Sequence, residues 1–337
     1  MRTAHLGLRA ALVAVALFLC SCNGSDPDRV HKSTRFLMGT IVEVMVVGPR
    51  DKAKAATEAV FDDLKRVESM TSAHKSSALG DVNQASGTGP VHANPELLRL
   101  IKHSLDFAVL TEGAFDPTLG PISKLWNFSG EGESRIPSSE EIREALDRTG
   151  WQKVTVDQDA GAVSLARKGM SLDLGGIAKG YALDRARLVL KEHVVTGALV
   201  NAGGDIVALG EKAPGKLWRV GVQDPRNPTG IVAVAAIKDM FIVTSGDYER
   251  FIEKDGVRYH HILDPRTGYP TRGIQSVSVI ANDGVTADAL ATAVFALGRE
   301  AGLKLVESTP QAEGFIIDSE GSQFMTSGAS AFFQAQR

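Results

Sequence analysis

The sequence predicts an α+β fold with mixed sheets and helices. Stretches of β-branched and apolar residues, such as Thr40–Val47 and residues 276–280, have the composition of strands. Apolar residues at helical spacing predict amphipathic helices, the first with Ala53, Val60 and Val67 on one face. Because hairpin-like strand runs are mixed with crossover helices, we do not expect a purely parallel sheet.

The composition is that of an ordinary globular protein. The chain has 337 residues, 43% of them hydrophobic and 23% charged, with a formal net charge of −3. That length can bury a sizeable core in one large or two smaller domains. The slight acidity and the lack of a basic stripe with interleaved aromatics give no reason to expect nucleic-acid binding.

The N-terminus has the pattern of a targeting segment. Arg2 and Arg9 precede an apolar run at residues 10–19, which is too short to span a bilayer comfortably. The run ends in Leu19-Cys20-Ser21-Cys22, which resembles a bacterial lipobox. We therefore expect a lipoprotein signal peptide at 1–21 and a lipidated mature N-terminus at Cys22.

Beyond the lipobox, a polar, Gly-, Ser- and Pro-containing stretch predicts a flexible tether at 22–33, with the globular domain at 34–337. Cleavage before Cys22 removes Cys20, and lipidation consumes the remaining thiol. The mature protein would then have neither a disulfide nor a thiol nucleophile. The alternative is an ordinary secretory signal with incidental cysteines.

Two helix starts and one unusual loop follow in the first half. Asn94-Pro95 and the capping box Ser138-x-x-Glu141 each predict the start of a helix, the second ending near Gly150. Between them, residues 111–121 are rich in turn formers yet carry apolar side chains, and Trp126 follows. This segment is either a packed loop or an aromatic wall for a planar ligand.

A glycine turn stands at the centre of the chain. Residues 169–174 predict a buried strand, Gly175 and Gly176 a turn, and Ala178, Ala182 and Ala186 a helix. Strand, glycine turn and helix start form an arrangement that can bind phosphate through free N–H groups, and Lys179 adds a positive charge. The stretch matches neither G-x-G-x-x-G nor a P-loop, so a tight turn with close packing is the alternative.

The second half adds a histidine pair and an Asp/Thr pair. His260 and His261 precede an Asp-Pro turn, and histidine is the side chain best suited to proton transfer near neutral pH. Asp288 and Thr292 lie four residues apart on a predicted helix, so their oxygens share one face and could bind Mg²⁺. Alternatively, Asp288 favours the start of its own helix and Thr292 bonds back to a carbonyl.

Taken together, the motifs resemble the ApbE family of FAD:protein FMN transferases from about Phe36 to the C-terminus. The motifs that occur in the family's order are Met38-Gly39-Thr40, Gly113-Ala-Phe-Asp116 with Gly120-Pro121 and Leu125-Trp126, residues 173–184, Asn201-Ala-Gly-Gly-Asp205, Thr244-Ser-Gly246, His261-Ile-Leu-Asp-Pro-Arg-Thr-Gly268, and Asp288 with Thr292.

The resemblance implies a role for each matching residue. His261 corresponds to the catalytic histidine, and His260 has no matching role. Mg²⁺ would be bound by the carbonyl of Gly176 and the side chains of Asp288 and Thr292. The residues implied to contact FAD are Met38, Ala114, Phe115, Asp116, Lys179 and Leu263. Family members often carry a Tyr after the first helix, where this chain reads Thr71-Ser-Ala-His74; His74 could replace it.

The resemblance also implies a fold and an activity. The fold would be ApbE-like, with two halves enclosing a flavin cleft. The enzyme would move the FMN part of FAD to a threonine hydroxyl of an exported protein and release AMP. Acceptors in the family carry [Ser/Asp]-Gly-[Ala/Ser]-Thr and belong to membrane redox complexes. The protein would face the periplasm, anchored to the inner or outer membrane. A non-enzymatic FAD-binding lipoprotein and an FAD pyrophosphatase are the alternatives.

Overall fold

The computed structural model describes residues 29–73, 76–128 and 135–335. The helices in this part of the chain are α1 Arg50–Thr71, α2 Ala78–Gln84, α3 Pro95–Leu110, α4 Gly120–Trp126, α5 Ser139–Leu146, α6 Ala178–Glu192, α7 Gly284–Leu297 and α8 Arg299–Ser308. None of them is long and apolar enough to cross a membrane.

The strands belong to four sheets. They are β1 Val30–Leu37, β2 Thr40–Val47, β3 Val91–His92, β4 Val154–Asp157, β5 Ala162–Leu165, β6 Gly197–Ala202, β7 Asp205–Gly210, β8 Trp218–Asp224, β9 Asn227–Ile237, β10 Phe241–Gly246, β11 Phe251–Lys254, β12 Val257–His260, β13 Ile274–Ala281, β14 Glu313–Asp318, β15 Gln323–Met325 and β16 Phe333–Ala335.

The large sheet has the order β1-β2-β6-β7-β10-β13-β14-β15. Smaller sheets have the orders β16-β9-β8 and β3-β5-β4, and β11 and β12 form a hairpin. Every strand pair in the described part of the chain is antiparallel. The structure therefore confirms the α+β class and the expectation that the sheet is not purely parallel.

The large sheet is covered on both faces. Val42, Val44 and Val46 of β2 point to one face and pack with α1, α6 and α7. Met45 and Val47, which alternate with them, point to the other face and pack against the sheet β16-β9-β8. This alternation explains why β2 could be predicted from the sequence.

Both predicted helix starts are confirmed. The Asn94 side chain accepts a hydrogen bond from the N–H of Leu97 at 2.8 Å. The Ser138 and Glu141 side chains and backbones form the reciprocal capping box, although the helix ends at Leu146 rather than near Gly150.

Two predictions from the sequence were wrong, one on the end of the tether and one on a strand. Residues 30–33 are part of strand β1, in register with β2 from Val30↔Val47 onward, so the tether does not extend to residue 33. Residues 169–174 are buried at alternate positions but form no strand. The backbone N–H and C=O of Leu172 bond to the side chain of Asn83 instead of to a neighbouring strand, at 2.7 and 3.0 Å.

Two glycines set the crossing of α6 and α7. A Cβ added at Gly180 would lie 2.0 Å from the carbonyl oxygen of Gly284, and one added at Gly284 would lie 2.2 Å from the carbonyl oxygen of Gly180. The backbones therefore touch, which only glycine allows. Asp184 of α6 also accepts hydrogen bonds from the N–H groups of Gly284 and Val285, each at 3.0 Å. This contact brings the start of α6 against the first turns of α7.

Candidate active site

The start of α6 is occupied by a carboxylate from α7. Asp288 is buried and accepts a hydrogen bond from the N–H of Gly180 at 2.8 Å and another from the N–H of Lys179. The N–H of Ala178 bonds to the carbonyl of Leu174 at 2.8 Å. These helix N–H groups therefore have partners, and the expectation that they are free for phosphate was wrong.

Lys179 forms an ion pair with Asp205, which is fully buried. Burial alone would lower the pKa of Lys179, but the charges of Asp205 and Asp288 outweigh it and raise that pKa. The other Asp205 oxygen accepts the N–H of Thr244 at 3.1 Å. Lys179 is thus a fixed ammonium whose charge is already balanced inside the protein.

Gly176, Thr292 and Phe115 meet at the predicted magnesium site. A Cβ added at Gly176 would lie 3.0 Å from Oγ1 of Thr292 and 3.1 Å from Cε2 of Phe115. Thr292 is partly buried, and within the described residues its hydroxyl has no hydrogen-bond partner. The start of α7 is capped by Asp283 and Asp184. Both structural alternatives for Asp288 and Thr292 are therefore wrong.

These groups fit a hard divalent cation. Asp288 uses part of its lone-pair capacity on two N–H groups and keeps acceptor capacity for a metal. When both carboxylates are ionised, Asp205 and Asp288 outnumber the single ammonium of Lys179, and this buried cluster then has one negative charge in excess. Burial raises the pKa of Asp288, and Asp205 raises it further. Across the described ranges, no cluster of three His, Cys, Asp or Glu side chains could hold a metal; the present set has a single carboxylate.

The two histidines differ in their surroundings. His260 is buried, with Nε2 2.9 Å from the carbonyl of Thr271 and Nδ1 accepting the N–H of Ile262 at 3.3 Å. Both ring nitrogens have partners, so His260 is structural, as expected. His261 is partly buried, and its Nδ1 has no hydrogen-bond partner within the described residues.

The electrostatic environment keeps His261 neutral. Burial lowers its pKa to about 3, and the charges of Arg250 and Lys179 contribute. A neutral imidazole can accept a proton, as a general base must. Negative charge bound nearby would raise this pKa toward the range where a base works best.

The Met38-Gly39 turn borders the same region. Met38 and Gly39 both have positive φ, 55° and 68°, as a tight two-residue hairpin between β1 and β2 requires. Such a conformation is uncommon for methionine. Nη2 of Arg250 would lie 3.4 Å from a Cβ at Gly39, and the carbonyl of Arg250 accepts the N–H of His261 at 3.0 Å. Met38 thus lies on the side of the site that carries His261.

The aromatic loop is packed rather than open. Phe115 and Trp126 are 4% and 0% exposed, and the indole N–H of Trp126 donates to the carbonyl of Gly268 at 2.8 Å. Neither ring offers a face to a planar ligand, so the aromatic-wall interpretation was wrong. Phe115 instead packs against the turn at Gly176.

Three further predicted FAD contacts belong to this region: Ala114 and Asp116 lie in the loop, and Leu263 packs near its end. Asp116 accepts hydrogen bonds from Thr118 and from the N–H of Trp151, at 2.6–3.2 Å, which joins two loops. Ala114 is buried next to Phe115. The side chain of Leu263 packs with Ile122 and Trp126. A contact of Leu263 with a ligand would therefore use its backbone.

Other predictions cannot be placed in the structure. The signal peptide 1–21, Cys22 and His74 lie outside the described residues. Two surface depressions, of about 630 and 590 Å³, lie beside Arg299 and beside Glu211. Neither includes a predicted site residue, so a flavin cleft between two halves stays a prediction.

Sequence reasoning missed three residues of this region. Asp205 was visible only as the end of a glycine turn, and its partner Lys179 lies 26 positions away. Gly284 carried no signal, because its contact with α6 is formed only in the fold. Arg250 follows a recognised motif but was not assigned a role.

Comparison with known proteins agrees with the fold and identifies the family. The model of the ApbE family matches residues 38–316. The FAD:protein FMN transferase of Treponema pallidum is 40% identical over 324 residues, covering 91% of this chain and 89% of its own length. One from Klebsiella pneumoniae is 37% identical over 278 residues, covering 82% of this chain and 85% of its own.

Solved structures give the same result. The ApbE protein from Thermotoga maritima matches with a TM-score of 0.84 at 40% identity, over 90% of this chain and 99% of its own. The flavin transferase ApbE from Vibrio cholerae matches with a TM-score of 0.81 at 28% identity, with the same coverage. The relatives and the solved structures together show an enzyme of the transferase class. The chain belongs to the ApbE family.

Proposed function

We propose that the protein transfers the FMN part of FAD to a threonine hydroxyl of an exported acceptor protein and releases AMP. The relatives named FAD:protein FMN transferase support the substrate pair. The observation that carries the proposal is His261, a neutral imidazole with an unpartnered Nδ1 beside the cationic groups Arg250 and Lys179.

His261 would act as the general base. It accepts the proton of the threonine hydroxyl as that oxygen bonds to the FMN-side phosphorus. The bond from this phosphorus to the bridging oxygen breaks, and AMP departs with the electron pair. A positioned base typically contributes about 10²–10⁴-fold to the rate.

Gly176, Asp288 and Thr292 would hold Mg²⁺. With Asp288 ionised, the excess negative charge of Asp205 and Asp288 over Lys179 disfavours a pyrophosphate unless a cation is present. When bound, the ion would supply positive charge next to the phosphate oxygens. Lys179 would orient the cluster through Asp205 and contact FAD through the N–H donors of its ammonium that Asp205 leaves free.

Residues outside the described ranges complete the proposal. Cys22 would carry the lipid that anchors the protein on the periplasmic side of the inner or outer membrane. The acceptor would present a threonine in [Ser/Asp]-Gly-[Ala/Ser]-Thr. A membrane anchor at that end would suit an acceptor that belongs to a membrane redox complex.

Mass spectrometry of an acceptor domain tests the proposal. The domain is incubated with the protein, FAD and Mg²⁺, and a matched domain has its threonine replaced by alanine. We expect a mass gain of one FMN less water on the first domain alone, with one AMP released per transfer. An unchanged mass with intact FAD would support a binder, and AMP release without acceptor would support a pyrophosphatase.

A further inference from the structure

Arg250 is an unpaired cation at the edge of the site. Its side chain is exposed. Among the described residues, no carboxylate lies within ion-pair distance of its guanidinium, and it makes no side-chain hydrogen bond or ring contact. Two other arginines of this half of the chain do have a partner: Arg226 and Arg258 both approach Asp247. The fold thus leaves one guanidinium free beside His261.

The position of Arg250 is fixed on two sides. Its backbone carbonyl accepts the N–H of His261 at 3.0 Å. Its Nη2 packs over the Met38-Gly39 turn, 3.4 Å from where a Cβ of Gly39 would be. The guanidinium therefore lies over the Met38-Gly39 turn, close enough to the imidazole for its charge to lower the pKa of His261.

The other charged side chains of the site supply little positive charge for a phosphate. Lys179 is paired with Asp205 and lies near Asp288, so it brings little uncompensated positive charge. Glu249 adds a further carboxylate, close enough to Lys179, Asp205 and Arg250 to feel their charges but in no ion pair with Arg250 in the described part of the chain. A pyrophosphate next to His261 would meet Arg250 as a side-chain cation that is in no ion pair within the described residues. A guanidinium suits phosphate oxygens because its donors form a planar fork.

We propose that Arg250 binds a non-bridging oxygen of the FMN-side phosphate of FAD. The assignment to that phosphate rests on the proposed function, because His261 would act on the phosphorus that threonine attacks. Arg250 would hold this phosphate against the imidazole and stabilise the negative charge that grows on it during transfer.

Flavins with different numbers of phosphates test the proposal by binding alone. Affinities of riboflavin, FMN and FAD are measured by flavin fluorescence in the full-length protein with Mg²⁺ and in Arg250→Ala. We expect FMN and FAD to bind about 10-fold to 100-fold more weakly to the variant, and riboflavin to bind unchanged. Arg250→Lys should recover part of the loss.

Arg219→Ala is the matched control, because Arg219 is an exposed arginine on β8 with no ion pair in the described part of the chain. It should bind all three flavins like the parent. Equal losses for riboflavin and FMN, a loss for FAD without a loss for FMN, or unchanged affinities would each overturn the assignment. If the parent transfers FMN normally while Arg250→Ala binds every flavin like the parent, only this inference falls; if the parent binds no FAD, the proposed function falls with it.

Discussion

Gly180→Ala should destabilise the protein, although alanine is normally the better helix former. The added Cβ would lie 2.0 Å from the carbonyl oxygen of Gly284 and 2.7 Å from Cβ of Asp288. Non-bonded contacts with a Cβ are essentially never below 3.0 Å, so α6 and α7 would have to separate by about 1 Å. A backbone carbonyl cannot rotate away as a side chain could.

The expected magnitude follows from two opposed effects. Overpacking of a tight contact costs about 1–3 kcal/mol. Replacing a helical glycine by alanine gains about 1 kcal/mol. Because the clash is with a backbone carbonyl, we place the overpacking cost in the upper part of that range, at about 2–3 kcal/mol. The net loss in the free energy of unfolding is then about 1–2 kcal/mol, or a Tm lower by roughly 2–8 °C. Transfer activity should also fall, because the shift moves Asp288 relative to the N–H of Gly180.

Thermal and urea unfolding measure the stability, and acceptor labelling measures the activity. Gly284→Ala should have a similar effect, since its Cβ would meet the carbonyl of Gly180 at 2.2 Å. The double variant should lose less than the sum, because one separation relieves both clashes. A more stable Gly180→Ala protein with parental activity would show that the backbones do not touch.

Three further predictions concern charge. Lys179→Met should lower the free energy of unfolding by about 1–3 kcal/mol, less than the full cost of breaking a buried pair because the lysine side chain is 34% exposed. Adding Asp205→Asn should restore much of that stability, since the carboxylate no longer lacks a partner. Urea unfolding of the single and the double variant measures both effects, and an additive loss would contradict the pairing. Asp288→Asn should raise the Mg²⁺ concentration for half-maximal transfer about tenfold or more, as measured by a metal titration. The control Asp147→Asn changes an exposed carboxylate outside the site and should leave that concentration unchanged. An unaltered Mg²⁺ requirement in Asp288→Asn would exclude Asp288 as a ligand. The pKa of His261 is lowered to about 3 in the free protein, so kcat/KM should show no loss from this group as pH falls through 6.5. Bound pyrophosphate should raise that pKa, so the profile of kcat should show an acid limb at a higher pH than the profile of kcat/KM. Acid limbs that coincide near 6.5 in both profiles would refute the lowered pKa.

The sequence was sufficient for elements with a local signal. β2 was predictable because Val42, Val44 and Val46 alternate toward one face. The starts of α3 and α5 were predictable because Asn94 and Ser138 cap N–H groups three residues ahead. The order of the motifs also indicated the family. Each of these caps, strands and single motifs is contained within a few neighbouring residues.

The errors arose where distant residues satisfy the backbone. Leu172 was placed in a strand because apolar residues surround it, yet Asn83, 89 positions away, takes both its hydrogen bonds. The start of α6 had the pattern of a phosphate site, yet Asp288, 108 positions from Gly180, caps it. No local pattern reports such partners, since the first depends on how α2 packs on residues 169–174 and the second on how α6 and α7 cross.

His261→Ala, with FAD binding and acceptor labelling measured on the same sample, tests the central claim most directly. The account predicts that FAD binds with nearly parental affinity while the labelling rate falls by about 10²–10⁴-fold. His193→Ala, at an exposed histidine after α6, should retain both properties. Labelling by His261→Ala near the parental rate, or a loss of FAD binding that accounts for the whole defect, would contradict the role of His261 as the base.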